Sequence, residues 1–316
     1  MGNRVLIFIL FLLTGAGLSA QTATDPIKIS LAYPVYSQYL QNGLLINPAY
    51  AGSREALSLF ASYRKQWLGV DRAPTYQSLS MHSLLKNNHV ALGLTLQTLQ
   101  YGYTKGTSVY ADYAYHITVG KSRLSMGLKA GFDMANSDYS GINLIYTPDE
   151  AFAGANKYFM PNVGAGVYFY NNKFFIGAAV PTFLSYEKSS GGKVSLGTFT
   201  QFDVQATAGA LIKFADEFKF KPSVFVDYSL DKTKDMRIDL NANFIICDLI
   251  WIGGSWRNSE KVAVGILQVQ VSPQMMFGFS YDYPVGKGST YPKGSVEGSL
   301  RYEFGYKVTA ANPRYF

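Results

Sequence analysis

The sequence predicts an all-β chain, a transmembrane antiparallel up-and-down β-barrel of about fourteen strands, and three observations predict it. Apolar residues alternate at period two along most of the chain. Beyond residue 20, no run of roughly 18 apolar residues recurs that could form a membrane-spanning helix. The composition holds 24 tyrosines, 21 phenylalanines and 30 glycines against one cysteine, a mix suited to sheet with aromatic girdles.

The chain opens on Met1, Gly2, Asn3 and Arg4, runs apolar from Val5 to Leu13, and closes on small residues around Gly15, Gly17, Ser19 and Ala20. A positive start, a short apolar stretch and a small-residue exit predict a signal peptide over residues 1–20. The mature chain then starts at Gln21 rather than at the cysteine that lipoprotein processing needs. Cys247 has no second cysteine to bridge, so a small, buried apolar role is expected of it. Net charge is +7, yet Lys and Arg scatter through turns and alternate strand positions without forming a block, which argues against nucleic acid as a partner.

Strands are expected near 55–67, 74–86, 88–101, 106–119, 122–135, 159–170, 173–187, 199–214, 218–230, 235–247, 249–257, 261–271, 274–284 and 295–306. The alternation is clean in several of them. Val90, Leu92, Leu94 and Leu96 oppose Ala91, Gly93, Thr95 and Gln97, and Ile238, Leu240, Ala242 and Phe244 oppose Arg237, Asp239, Asn241 and Asn243. One oily face and one small or charged face match lipid outside and a polar lumen inside. Strand 261–271 is ambiguous, since Val262 and Val264 or Leu267 and Val269 could face lipid.

Every second connection is short, as at Gly120-Lys121, Asn171-Asn172 and Asp248, whereas 136–158, 188–198 and 285–294 are longer. Outer-membrane barrels keep short turns on the periplasmic side and longer loops outside. An even strand count then leaves both termini in the periplasm. The organisation expected is a periplasmic collar or plug segment at 21–54, the barrel at 55–306, and a periplasmic tail at 307–316.

Little in the chain points to catalysis. His82, His89 and His116 fall near periplasmic strand ends with no motif around them, and no G-x-S-x-G, H-E-x-x-H or phosphate-binding glycine loop occurs. No catalytic residue, cofactor or metal ligand is expected. The inward charges Asp112, Lys129, Asp133, Asp203, Lys213, Lys219, Asp227, Arg237, Asp239, Arg301 and Glu303 are mixed in sign. That favours a mutually neutralising network over a selective pore, though a channel for small solutes stays open. Trp67, Tyr101, Tyr103, Trp251, Trp256, Tyr281 and Tyr283 are expected to anchor the barrel at the membrane interfaces.

Residues 33–53 form neither a clean strand nor a polar linker, and they carry too many apolar side chains to lie loose in the periplasm. They read as a plug or collar at the periplasmic mouth, as a docking surface for another subunit, or as both. Three stretches here carry a resemblance: Tyr36-Ser37-Gln38-Tyr39, then Leu45-Ile46-Asn47-Pro48-Ala49-Tyr50-Ala51-Gly52-Ser53, then Arg64-Lys65-Gln66-Trp67-Leu68-Gly69 with Ala73-Pro74-Thr75. Together with the closing Asn312-Pro313-Arg314-Tyr315-Phe316, they resemble the PorP/SprF family of outer-membrane proteins of the type IX secretion system.

The resemblance implies a barrel that binds partners. These would be a secreted cell-surface protein such as a gliding adhesin, held through its carboxyl-terminal domain, or the periplasmic lipoprotein ring of the secretion machine. On that reading the amino-terminal segment faces the ring, while the lumen or outer loops hold the substrate. The residues expected to bind partners are Ser37, Gln38, Tyr39, Asn47, Pro48, Tyr50, Arg64, Trp67, Arg314, Tyr315 and Phe316.

Overall fold

The computed structural model describes residues 36–86, 88–138, 155–187, 193–196, 202–230, 235–285 and 293–304. The signal peptide expected at 1–20, the first part of 21–54 and the tail at 307–316 lie outside the described residues.

Among the described residues, seventeen strands follow one another. They are β1 (Leu57–Lys65), β2 (Thr75–Leu84), β3 (Val90–Tyr101), β4 (Thr104–Val119), β5 (Ser122–Asp138), β6 (Ala155–Tyr170), β7 (Phe174–Val180), β8 (Leu184–Glu187) and β9 (Lys193–Leu196). The rest are β10 (Asp203–Ala210), β11 (Ile212–Lys213), β12 (Phe218–Ser229), β13 (Arg237–Ile246), β14 (Ile250–Arg257), β15 (Val262–Gln270), β16 (Met275–Pro284) and β17 (Ser295–Phe304). All but β8 and β9 join one antiparallel sheet, in which β1 pairs with β17 from Leu57 opposite Phe304 to Lys65 opposite Val296. That seam closes a ring, and with β10 and β11 counted as a single strand around Leu211 the barrel has fourteen. Closure removes the exposed strand edges that lipid would not tolerate.

The expected strand at 173–187 is two pieces. β7 stops at Val180 because Pro181 has no N–H to give to the ladder. The chain then forms β8, which pairs with β9 in a separate hairpin.

Burial follows the period. Leu92, Leu94 and Leu96 are exposed on the outer wall, whereas Ala91 and Thr95 face inward and are buried. The ambiguous strand is resolved: on β15, Val262, Val264, Ile266 and Gln268 face the lumen and Leu267 faces out. An apolar inner face is stable there because Leu40 packs against it.

Two residues differ from expectation. Trp251 points into the lumen, where it is buried with Leu211, Ile245 and Met276 and lies 5.5 Å from the Lys221 ammonium; a cation over the ring there takes the place of an interface role. Cys247 is exposed rather than buried. With Asp248 it makes the tight β13–β14 turn, and the φ angles of 52° and 56° at these two residues match the twist of the strands that they join.

Short connections gather at one end of the barrel, between β2 and β3, β4 and β5, β6 and β7, β11 and β12, β13 and β14, and β15 and β16. At the opposite end lie the end of β5 and the start of β6, and the end of β16 and the start of β17, between which the chain has its longer stretches 139–154 and 285–294. All three histidines lie near the short-turn end, as the sequence predicts.

Candidate functional site

Residues 36–54 fill the lumen. Asparagine, glycine and proline at close spacing give this stretch no period, and it folds as three short 3-10 turns, Gln38–Leu40, Gly43–Leu45 and Pro48–Tyr50. Two turns are capped by the residue before them: the Asn42 side chain accepts from the Leu44 amide and the Asn47 side chain from the Ala49 amide, with Pro48 at the first position of the last turn. Turns of this kind satisfy much of their own backbone, which suits a segment enclosed by a sheet whose hydrogen bonds are already spent.

Anchors run in order along the barrel. At the long-loop end the Ser37 amide donates to Glu297 Oε2 at 2.7 Å and its hydroxyl to Asp282 Oδ1 at 3.0 Å. Arg64 lies beside both acids, its Nη2 2.6 Å from Asp282 Oδ2 and its Nη1 3.5 Å from Glu297 Oε2. Arg257 completes the cluster, 3.2 Å from Asp282 and 3.3 Å from Asp239. Paired charges and hydrogen bonds are what make such burial tolerable.

Midway, the Tyr39 hydroxyl accepts from Asn241 Nδ2 at 2.7 Å, and its ring leans on Phe225. Gln268 donates to Gln38 at 3.0 Å and Ser299 to Gln41 at 3.1 Å.

Toward the short-turn end, Asn47 Nδ2 donates to the Val167 carbonyl at 2.9 Å, and Tyr50 packs edge-on against Tyr168 and His82. The Gly52 amide donates to His82 Nδ1 at 3.0 Å, His116 Nε2 meets the Ala51 carbonyl at 2.8 Å, and Arg54 lies 2.6 Å from Glu303. The wall is thinned to admit the segment. Gly127 lies directly under the Pro48–Ala49 backbone, where a Cβ would clash. Between the segment and β6, β7, β10 and β12 lies a cavity of about 30 Å³ lined by Tyr39, Asn47, Tyr50, Tyr168, Phe175 and Lys221, room for about one water.

Seven of the sequence-derived residues therefore come together: Ser37, Gln38, Tyr39, Asn47, Pro48, Tyr50 and Arg64 are all buried inside the barrel. Trp67 does not join them. It is half-buried in the β1–β2 connection at the long-loop end, with φ +49° and its amide donating to Ser295 Oγ. Arg314, Tyr315 and Phe316 lie outside the described residues. Of the collar and the plug expected of this stretch, residues 36–54 form a plug, lying inside the lumen where their apolar and amide side chains find partners at several levels of the wall.

Reasoning from the sequence missed Arg257, Asp282 and Glu297 as anchors. Their signal was available, since each is a charged residue at an inward position within two residues of a strand end. Of the mixed inward charges, Asp239, Arg301 and Glu303 are buried in this network, while Lys213 is exposed. Among the described residues, no three His, Cys, Asp or Glu side chains converge to hold a metal ion.

Comparisons with known proteins agree with this architecture. The chain is similar in fold to the CymD monoaromatic hydrocarbon channel, with 13% identity, a TM-score of 0.51 and coverage of 83% of this chain and 92% of that one. It is also similar to the TodX deltaS2S3 mutant monoaromatic hydrocarbon channel, at 9% identity and a TM-score of 0.50 over 82% and 93% of the two chains. The Acinetobacter baumannii outer membrane protein Omp33 aligns at 7% identity and a TM-score of 0.49, over 79% of this chain and 98% of its own. At these identities the likeness to the two hydrocarbon channels is one of fold. A comparison with curated proteins finds no match. The model of a family described as type IX secretion system membrane protein PorP/SprF matches residues 29–302, and this outer-membrane β-barrel belongs to that family.

Proposed function

We propose that the protein is a non-catalytic, plugged barrel that binds other proteins of the type IX secretion system. Its cargo is a secreted cell-surface protein, such as a gliding adhesin, held through its carboxyl-terminal domain, and its contact on the periplasmic side is the lipoprotein ring. The observation that carries this reading is the filled lumen. A barrel whose interior is occupied by its own chain and cross-linked by buried ion pairs has little passage to offer a solute, which leaves its two ends as the working surfaces. Family membership supports the secretion role.

With Ser37, Gln38, Tyr39, Asn47, Pro48, Tyr50 and Arg64 buried, their part in binding is to hold the lumen segment and so set the shape of the two mouths. Trp67, beside the exposed Val70 in the same connection, is the residue we assign to direct contact at the long-loop mouth. Arg314, Tyr315 and Phe316 are assigned to contact on the other side.

The test is affinity recovery of the tagged barrel from detergent-solubilised native outer membranes, with mass spectrometry of whatever is retained in stoichiometric yield. A secreted surface protein or the ring lipoprotein is expected, and Trp67→Ala should reduce the former. Recovery of the barrel alone, together with ion conduction by the wild-type protein in planar bilayers, would sink the proposal in favour of a small-solute channel.

A further inference from the structure

The lipid-facing wall of the barrel changes chemistry in steps toward the long-loop end. Across six neighbouring strands, β1 to β6, one paired row of outward positions reads Lys65, Thr75, Gln100, Lys105, Asn136 and Lys157. Five of these are exposed and Thr75 is half-buried. The row holds three cations and no acid. Two residues nearer the middle of each strand, the outward row is mixed, running from Tyr63 and Gln77 to Met134 and Phe159. Two further on it is wholly apolar: Ala61, Leu79, Leu96, Val109, Phe132 and Pro161. At the short-turn end of the same wall, Ile117, Leu124 and Phe169 stand side by side, so the cationic row is a feature of the long-loop rim.

A cleft of about 440 Å³ opens on this rim, and its lining includes Arg72, Gln100, Tyr103, Thr104, Lys105 and Asp138. The Arg72 guanidinium lies 3.9 Å from the centroid of the Tyr103 ring, and the Gly102 amide donates to the Arg72 carbonyl at 2.9 Å. These contacts tie the β1–β2 connection to the β3–β4 turn. Two cations against one carboxylate, with an amide and a hydroxyl, make a lining suited to a phosphate and to the hydroxyls of a sugar.

The row is oblique to the membrane: Lys65 is eight residues from the short-turn end of β1 at Leu57, and Lys105 is fourteen from that of β4 at Val119. Five strand spacings of ~4.8 Å at a tilt of ~40° carry it through about 15 Å of depth. A phospholipid headgroup layer is only about 5–8 Å thick and would meet part of the row; phosphates borne on sugars fill the greater depth. We propose that this rim, with the cleft beside Lys105, binds the phosphorylated saccharide headgroup of a glycolipid in the outer leaflet, whose acyl chains lie on the apolar row beneath. Short turns in the periplasm put the rim at that leaflet. The succession of cationic, mixed and apolar rows on one wall selects a lipid over a soluble anion or an acidic protein, which would meet the charges alone.

The experiment titrates purified lipopolysaccharide onto the full-length barrel in a neutral detergent, with bound lipid read by native mass spectrometry. Lys65→Gln, Lys105→Gln and Lys157→Gln together remove the rim charge. Lys86→Gln, Lys121→Gln and Lys173→Gln remove as much from the short-turn end, where all three lysines are exposed. Lys65→Arg, Lys105→Arg and Lys157→Arg together keep the rim charge. A heat-modifiable gel shift verifies that each variant is a closed barrel. The wild type is also titrated with phosphatase-treated lipopolysaccharide, with phosphatidylglycerol, and with lipopolysaccharide in the presence of millimolar inorganic phosphate.

The result expected is salt-sensitive binding by the wild type, the short-turn variant and the arginine variant, and binding about a hundredfold weaker in the rim glutamine variant. The wild type should hold the dephosphorylated lipid and phosphatidylglycerol less tightly than lipopolysaccharide. Equal binding by the two glutamine variants, or undiminished binding of the dephosphorylated lipid, overturns the proposal. So does phosphatidylglycerol binding as tightly as the glycolipid, which makes the rim a site for any anionic lipid, or displacement by inorganic phosphate, which makes it a site for the free ion. None of these outcomes depends on which protein of the secretion system the barrel holds.

Discussion

Valine at position 127 would test how tightly the lumen segment fits. Gly127 faces inward from β5, and a Cβ there would stand 2.5 Å from the Ala49 Cα, against the 3.4 Å at which ordinary contact begins. The segment must then retreat by at least about 0.9 Å, since the Ala49 nitrogen and the Pro48 carbonyl carbon stand closer still, and further for the two methyl groups of valine. Its nearest fastenings have little slack. The bond from Asn47 to Val167 is 2.9 Å, that between His116 and Ala51 2.8 Å and that from Gly52 to His82 3.0 Å, so such a shift takes two of the three beyond useful length. Two hydrogen bonds at ~1 kcal/mol each and an overpacking cost of ~1–3 kcal/mol give a loss of about 4 kcal/mol in the seating of the segment.

A loss of that size multiplies the unseated population by about a thousandfold. Single-barrel conductance in planar bilayers reads it directly: the wild type should be nearly silent and Gly127→Val should show frequent openings. Gly265→Ala, at an outward position with nothing within 4 Å of the added methyl, should behave as wild type. If Gly127→Val matched the wild type both in conductance and in the temperature at which its folded gel band disappears, the segment would not be the seal that its contacts describe.

Three further outcomes follow from the same contacts. Arg64→Ala strands Glu297 beside Asp282 with only Arg257 nearby, and should cost about 3–5 kcal/mol in denaturant titration; Arg64→Lys should recover only part of it, because an ammonium cannot reach Asp282 and Glu297 with separate nitrogens. Asn47→Ala removes the cap on the last turn together with the bond to Val167 and should cost ~1–3 kcal/mol, seen as a lower unfolding midpoint with the β signature in circular dichroism unchanged. Cys247→Asn should raise that midpoint slightly, since asparagine accepts the left-handed backbone of this turn more readily than cysteine; a fall would mean that the thiol makes a contact its exposure does not suggest.

The wall of the barrel was legible because lipid and lumen impose opposite chemistries on successive residues, and Leu92, Leu94 and Leu96 against Ala91 and Thr95 carry that contrast openly. Alternation ceased to inform where both faces met apolar surroundings. On β15 the inward Val262, Val264 and Ile266 look like lipid-facing residues until Leu40 is seen against them. Trp251 misled for a related reason, as an aromatic near a strand end can face either way. Pro181 was visible as a breaker, but the period on either side of it masked the break.

The lumen segment was legible in kind, as something too apolar to lie free, and not in path. Its turns have no repeat, and its anchors lie far off in sequence, as with Ser37 and Glu297. Nothing local in Tyr36-Ser37-Gln38 says which acids those residues will meet.

That separation also governs the order of assembly. Ser37 and Glu297 are 260 residues apart, and Arg54 and Glu303 249, so the first-made part of the mature chain waits for the last-made strand to supply its acceptors. Until β17 arrives, β1 lacks a neighbour on one side, and Arg54 and Arg64 lack the carboxylates of Glu303 and Glu297. Closing the wall and seating the segment therefore draw on the same final strand, which makes them a single late event rather than two. Contacts of such high order fold slowly. An unfinished sheet would meanwhile expose an open edge and unmatched charge to lipid, so β17 acts as the latch whose arrival makes the whole assembly compatible with a membrane.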